Sequence, residues 1–423
     1  MPSAFVDPPN DLSSVTHVGE EHPEPEALGV GRQALETIWA AAEQYYCTGT
    51  QPALALCIRR RGQVVLDRCI GHARAPELDD DPQAQAAPAT TQTPICIFSA
   101  SKAITAMLVH LLDERRELHI DDPVAEYVPE FGANGKERTT LRHVLAHRAG
   151  VPIVDEVTSG PEIILDFERS VQAICQARPQ TVPGRSLMYH ALTGGFVLGE
   201  VIQRVTGKPL RTVWREEVAE PLGLAITDYG IPPGRDLEVA TNYVTGAPLP
   251  FPLSSLVERT LGASVEVCTN MSNDPRFMDA VIPAGNMVSN GRESTLFMEL
   301  MRQGGVVDGV RVFDRRTVQR ALVETSFFEP DLNLFGFPMR HGLGWMLGRK
   351  RLSPFGPDTP LAFGHLGFST CLIWADPARE ISVAVLNTGK CFGLQVARQW
   401  QLLSAISAQI PKARGALSPQ SPA

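Results

Sequence analysis

Two kinds of hydrophobic repeat divide the 423 residues, and their placement limits what the chain can fold into. Short β-type apolar runs stand near both ends, at residues 53–58 and 63–70 and again at 372–374 and 381–386, whereas helical spacing prevails between them. Arg61-Gly62 separates the first pair and Asp376-Pro377-Ala378-Arg379 the second, so each pair reads as a hairpin. Strands at both ends with helices between predict an α+β fold. Its single antiparallel sheet is built by the two ends and covered by helices, with a largely helical region inserted at about residues 100–300.

Helices are expected over 33–46, after Ser99 (Ile104, Met107, Leu108, Leu111, Leu112), around Leu198-Val201-Ile202-Val205, around Leu296-Phe297-Leu300-Met301, and over 393–408. Residues 231–287 read as loop-rich and as the source of pocket walls, and residues 77–91 as a flexible insertion. Prolines and acidic residues without apolar periodicity mark residues 1–28 as a flexible arm. The expected organisation is therefore that arm, one folded domain over 29–409, and a tail over 410–423.

Hydrophobic residues at 43% and charged residues at 20% suit a globular chain with a sizeable core. A net charge of -9 without a basic cluster argues against nucleic acid and against an anionic membrane as partners. Nowhere do about 18 apolar residues run unbroken, and the first residues lack the pattern of a secretory signal, so the expectation is a cytoplasmic protein acting on a small molecule. The eight cysteines are scattered without C-x-x-C pairs, which indicates neither a disulfide framework nor a zinc site.

The sharpest local feature is Phe98-Ser99-Ala100-Ser101-Lys102, an S-x-x-K at a strand-to-helix junction. A serine hydroxyl needs a base within hydrogen-bond reach to attack at neutral pH. Residues three apart share a helix face, which brings the Lys102 amine beside Ser99. Burial at the positive end of a helix disfavours the ammonium, so a neutral Lys102 can act as that base. Ser101 points elsewhere. A capping role would explain Ser99 but not a cation in the first turn. His143 and His147, four apart, have metal-like spacing, yet no glutamate or third ligand accompanies them. G-x-S-x-G, H-E-x-x-H, Walker and G-x-G-x-x-G motifs are absent from the sequence, and Asn387-Thr388-Gly389-Lys390, which follows the last strand, reads as a loop.

Residues 98–105 (FSASKAIT) resemble the nucleophile motif of the class C β-lactamase and penicillin-binding-protein group, especially its family VIII carboxylesterases. Residues 121–129, 141–150, 183–189, 221–224, 342–345 and 364–367 resemble further segments of that group in the same order, so the likeness spans about residues 30–408. It implies a β-lactamase-like (DD-peptidase) fold and a cofactor-free, metal-free serine hydrolase working through an acyl-enzyme on Ser99. Tyr189 matches the tyrosine of the Y-x-N motif and would relay the Ser99 proton to the leaving group. His365-Leu366-Gly367 falls where the group carries K-T-G, on an edge strand beside the nucleophile. There Gly367 allows close backbone approach, and the Phe368 and Ser99 N–H groups would form the oxyanion hole.

Two departures bear on the substrate. Ala191 stands where the Y-x-N asparagine would meet a lactam amide, and His365 replaces the lysine that would favour an acidic carboxylate. Both favour an uncharged carboxylic ester. The rivals are β-lactamase or D-amino-acid peptidase or amidase activity, acyl transfer, and a catalytically silent scaffold. The sequence does not fix the oligomeric state.

Overall fold

The computed structural model describes residues 4–79, 83–154, 162–327, 329–334, 336–393 and 396–413. Its main sheet is antiparallel and contains β1 (Thr16–Val18), β2 (Ala53–Arg60), β3 (Gln63–Arg74), β4 (Arg340–His341), β5 (Met346–Leu347), β6 (Phe363–Leu366), β7 (Leu372–Asp376) and β8 (Ile381–Asn387), in the spatial order β1-β3-β2-β8-β7-β6-β5-β4. The two chain ends meet where β8 pairs with β2, from Ile381 opposite Arg60 to Asn387 opposite Leu54. Both expected hairpins form. Arg61 and Gly62 supply the positive φ values of 52° and 89° that a tight two-residue turn needs. Part of residues 77–91 adds to this sheet through Ala87–Pro88, which pairs with β3, while residues 80–82 of that stretch lie outside the described residues.

Alternation along the central strands sends one set of side chains to each face. Leu54, Leu56 and Ile58 of β2 and Val383 and Val385 of β8 pack under α1 (Arg32–Tyr45) and the C-terminal helix. Ala53, Ala55, Ala384 and Leu386 belong to the opposite core, shared with α2 (Ser101–Glu114), α3 (Thr193–Thr206) and α4 (Gly291–Arg302). The C-terminal helix is α5 (Val396–Gln409). The small side chains of the second face let α4 approach closely: a Cβ at Gly291 would lie 2.9 Å from Cys57 Cβ. The segment read as an arm contributes β1, paired with β3 through Thr16 opposite Ile70.

Three sequence expectations need correction. Residues 231–287 contain the helices Leu253–Leu261, Val265–Ser272 and Pro275–Asp279, none longer than nine residues. Such short helices, bounded by proline and glycine, carry too few turns to display a repeat. Residues 387–390, read as a loop, finish β8 at Asn387 and pair Gly389–Lys390 in parallel with Tyr243–Val244. Finally, β6 is no edge strand, because Gly364 pairs with Met346 on one side and Trp374 on the other. The two-residue strands β4 and β5, too short to show alternation, cover that side. No helix among the described residues is long and apolar enough to cross a membrane.

Candidate active site

A second, small sheet positions the serine. Ile95–Cys96 pairs with Met287–Ser289, and the Ile97 N–H donates to Met287 O at 2.8 Å. Phe98 then turns the chain with φ 47°, a value costly for a bulky side chain, before α2 begins. Ser101 holds that turn: its hydroxyl donates to Phe98 O and accepts from the Met287 N–H at 3.1 Å. Ser101 is therefore structural, as its direction on the helix required. Ser99 is left half-buried at the mouth of the site.

Lys102 is buried, and its Nζ lies 2.8 Å from Ser99 Oγ and 2.9 Å from Ala284 O. Burial pulls the amine down from 10.5 to about 7, so a large share is uncharged near neutrality. Ala284 can come this close because Gly195 of α3 has no side chain; a Cβ there would sit 2.6 Å from Ala284 Cβ. The Asn286 side chain fixes the same turn, accepting from Ile282 N and donating to Phe277 O and Ala280 O.

Tyr189 completes the cluster. Its ring centroid is 5.1 Å from Lys102 Nζ, and burial drives the phenol well above its ordinary value, partly offset by a hydrogen bond from Ser99. Its backbone is clamped by Asp331, whose Oδ1 accepts from Tyr189 N at 3.0 Å, and by Asn333, whose amide donates to Tyr189 O at 2.7 Å. Asp331 sits in an irregular segment that no motif marked. Around the phenol gather the buried imidazoles of His147, 4.7 Å away between centroids, and His365, 6.4 Å away. Burial lowers His365 to about 3, so it is neutral; its Nδ1 is 2.6 Å from Leu366 O. His147 was visible as part of the 141–150 motif, but only its spacing from His143 drew attention; His143 instead caps a short helix by accepting from Thr140 N.

Two apolar chambers open on Ser99. The larger, about 480 Å³, is walled by Tyr189, Leu261, Met339, Phe368, Phe392 and Trp400 among others; the smaller, about 100 Å³, by Phe98, Ala191, Leu261, Met271, Phe277 and Phe368. Among the described residues no Arg, Lys, Asp or Glu lines either one, and neither does His365. Leu261, Met271 and Phe277 come from residues 231–287, as expected for pocket walls. Gly367 packs against the nucleophile segment, where a Cβ would fall 2.5 Å from Ile97 O. Phe368 packs tilted against Phe98 with centroids 5.3 Å apart. Neither the Ser99 nor the Phe368 N–H donates to a protein acceptor among the described residues.

A family model described as Beta-lactamase matches residues 34–403. The esterase/beta-lactamase LipL of Mycobacterium tuberculosis is 31% identical over 302 residues, covering 69% of this chain and 68% of that protein. Among solved structures, a penicillin-binding protein homologue from Caulobacter crescentus superposes with a TM-score of 0.75 at 25% identity, covering 90% of this chain and 99% of the other. A family VIII carboxylesterase superposes with a TM-score of 0.74 at 24% identity, covering 89% and 98%.

Proposed function

Because the chain belongs to the beta-lactamase family and is a serine hydrolase, we propose that it cleaves uncharged carboxylic esters through an acyl-enzyme on Ser99. The observation that carries this reading is the 2.8 Å contact between Ser99 Oγ and Lys102, whose amine burial brings down to about 7. The amine takes the hydroxyl proton as the serine oxygen attacks the ester carbonyl. The free N–H groups of Ser99 and Phe368 receive the developing oxyanion. Tyr189 passes a proton to the departing alcohol oxygen and is reprotonated from the Lys102 ammonium, and the same pair then activates water to release the acid. His365 contacts no chamber and so serves as packing that orients Tyr189.

Tyr189 lines the large chamber and not the small one. Since its phenol must reach the leaving oxygen, the alcohol half occupies the large chamber and the acyl half the small one. Walls without fixed charge favour neutral esters over carboxylate-bearing lactams and peptides, a preference Ala191 strengthens by offering no amide. LipL carries both esterase and beta-lactamase in its name, so the two substrates are the contrast to measure. Purified enzyme should turn over p-nitrophenyl butyrate far faster than nitrocefin, and Ser99→Ala should abolish turnover without loss of fold. Retained esterase activity in that variant, or a preference for nitrocefin, would overturn the proposal.

A further inference from the structure

Behind Lys102 lies a third cavity of about 20 Å³ that shares no wall residue with the two chambers; Lys102, Thr105, His147, His190 and Gly194 help to enclose it. Ala106, Val144, Leu145 and Leu198 make most of its wall apolar, and a space of this size holds one water molecule only where polar groups face it, here Lys102 and His190. The hydrogen bonds of Lys102 leave one position open toward protein. Its Nζ donates to Ser99 Oγ at 2.8 Å and to Ala284 O at 2.9 Å, which uses both N–H groups of a neutral amine. The ammonium formed during attack carries a third N–H, which has no protein acceptor among the described residues and needs one. Opposite stands His190, fully buried; the Met188 backbone acts on its ring, while neither ring nitrogen meets full hydrogen-bond geometry with a partner among the described residues. Its backbone N–H donates to His147 Nδ1 at 3.2 Å, which fixes the neighbouring imidazole as the wall.

We propose that this cavity binds one fixed water bridging Lys102 Nζ and the His190 ring, and that it completes the hydrogen bonding of the ammonium formed when Lys102 takes the Ser99 proton. No covalent bond changes at the water; the proton moves from serine oxygen to lysine nitrogen, and the water accepts a hydrogen bond from it. The inference rests on the reading of Lys102 as base.

Gly194→Ala tests it. A Cβ at Gly194 would lie 3.4 Å from His190 Cβ and 3.5 Å from Val144 Cγ1, ordinary contact distances, so the methyl group fills the cavity in place of the water. Alanine also suits the helix better than glycine, so the melting temperature should hold or rise. The expected result with p-nitrophenyl butyrate is a kcat lowered about 10- to 100-fold, the range for one hydrogen bond to a charged group, with KM within twofold. A folded variant with kcat within twofold of the parent overturns the proposal. Should the variant not fold, a crystal structure of the parent enzyme decides: a water within hydrogen-bond distance of both Lys102 Nζ and His190 is expected, and an ordered site without one is contrary. Labelling with a fluorophosphonate separates the two levels. No adduct on Ser99 of the parent sinks the nucleophile itself, whereas equal labelling rates in parent and G194A sink the water site alone.

Discussion

Lys102→Met should make the protein more stable and almost inactive at once. The amine falls from 10.5 to about 7 on folding, so at pH 7 the unfolded chain binds more protons than the folded one. That difference costs the native state about 4 kcal/mol at pH 7, and about 2 kcal/mol at pH 9, where the unfolded lysine is itself closer to losing its proton. Methionine has a similar volume and no charge to desolvate, but it strands Ala284 O without its donor, a loss of about 1–3 kcal/mol. The net gain at pH 7 is about 1–3 kcal/mol. For a chain of this length, with an unfolding entropy of roughly 0.9 kcal/mol/K, that raises Tm by about 1–3 °C. Stability rises with pH in the parent between about 7 and 10.5 and not in the variant, so the gap closes as pH rises. Urea unfolding of both proteins at pH 7 and 9, beside esterase assays, reads both effects; kcat should fall at least about 10³-fold. A variant less stable than the parent at pH 7, by an amount that does not vary with pH, would refute a neutral buried lysine.

Tyr189→Phe should depend on the leaving group: hydrolysis of ethyl or benzyl butyrate should drop about 10²- to 10⁴-fold, while p-nitrophenyl butyrate, whose phenolate leaves without a proton, should lose far less. Equal losses across both esters would remove Tyr189 from the acid role. Met271→Ala enlarges the small chamber and should shift the acyl preference toward chains about two carbons longer without altering the ranking of alcohols. A change in alcohol ranking instead would reverse the assignment of the chambers.

The sheet built from both chain ends was readable because its long strands, β2, β3, β7 and β8, carry enough residues to show β-type patterning and are punctuated by Arg61-Gly62 and residues 376–379. The two-residue strands β4 and β5 and the short helices over 253–279 were not, since fewer than three turns or four strand positions carry no period. In the site, Ser99 and Lys102 lie three apart on one turn, so local spacing alone revealed them. Tyr189, His365, Gly367 and Phe368 emerged only through likeness to a family. What no local pattern could give is the backbone of the far chain: Ala284 O reaches Lys102 across 182 positions, and Asp331 clamps Tyr189 across 142. Such contacts are made by main-chain atoms or in irregular loops, where side-chain identity leaves little trace.

The most direct test of the account is the pH dependence of Ser99 acylation, followed by peptide mass spectrometry after timed exposure to a fluorophosphonate between pH 5 and 9. Deprotonation of Lys102 should bring the rate up through a single step centred near pH 7, with the adduct confined to the peptide carrying Ser99. An adduct on another serine, or a rate that does not change across that range, contradicts the mechanism.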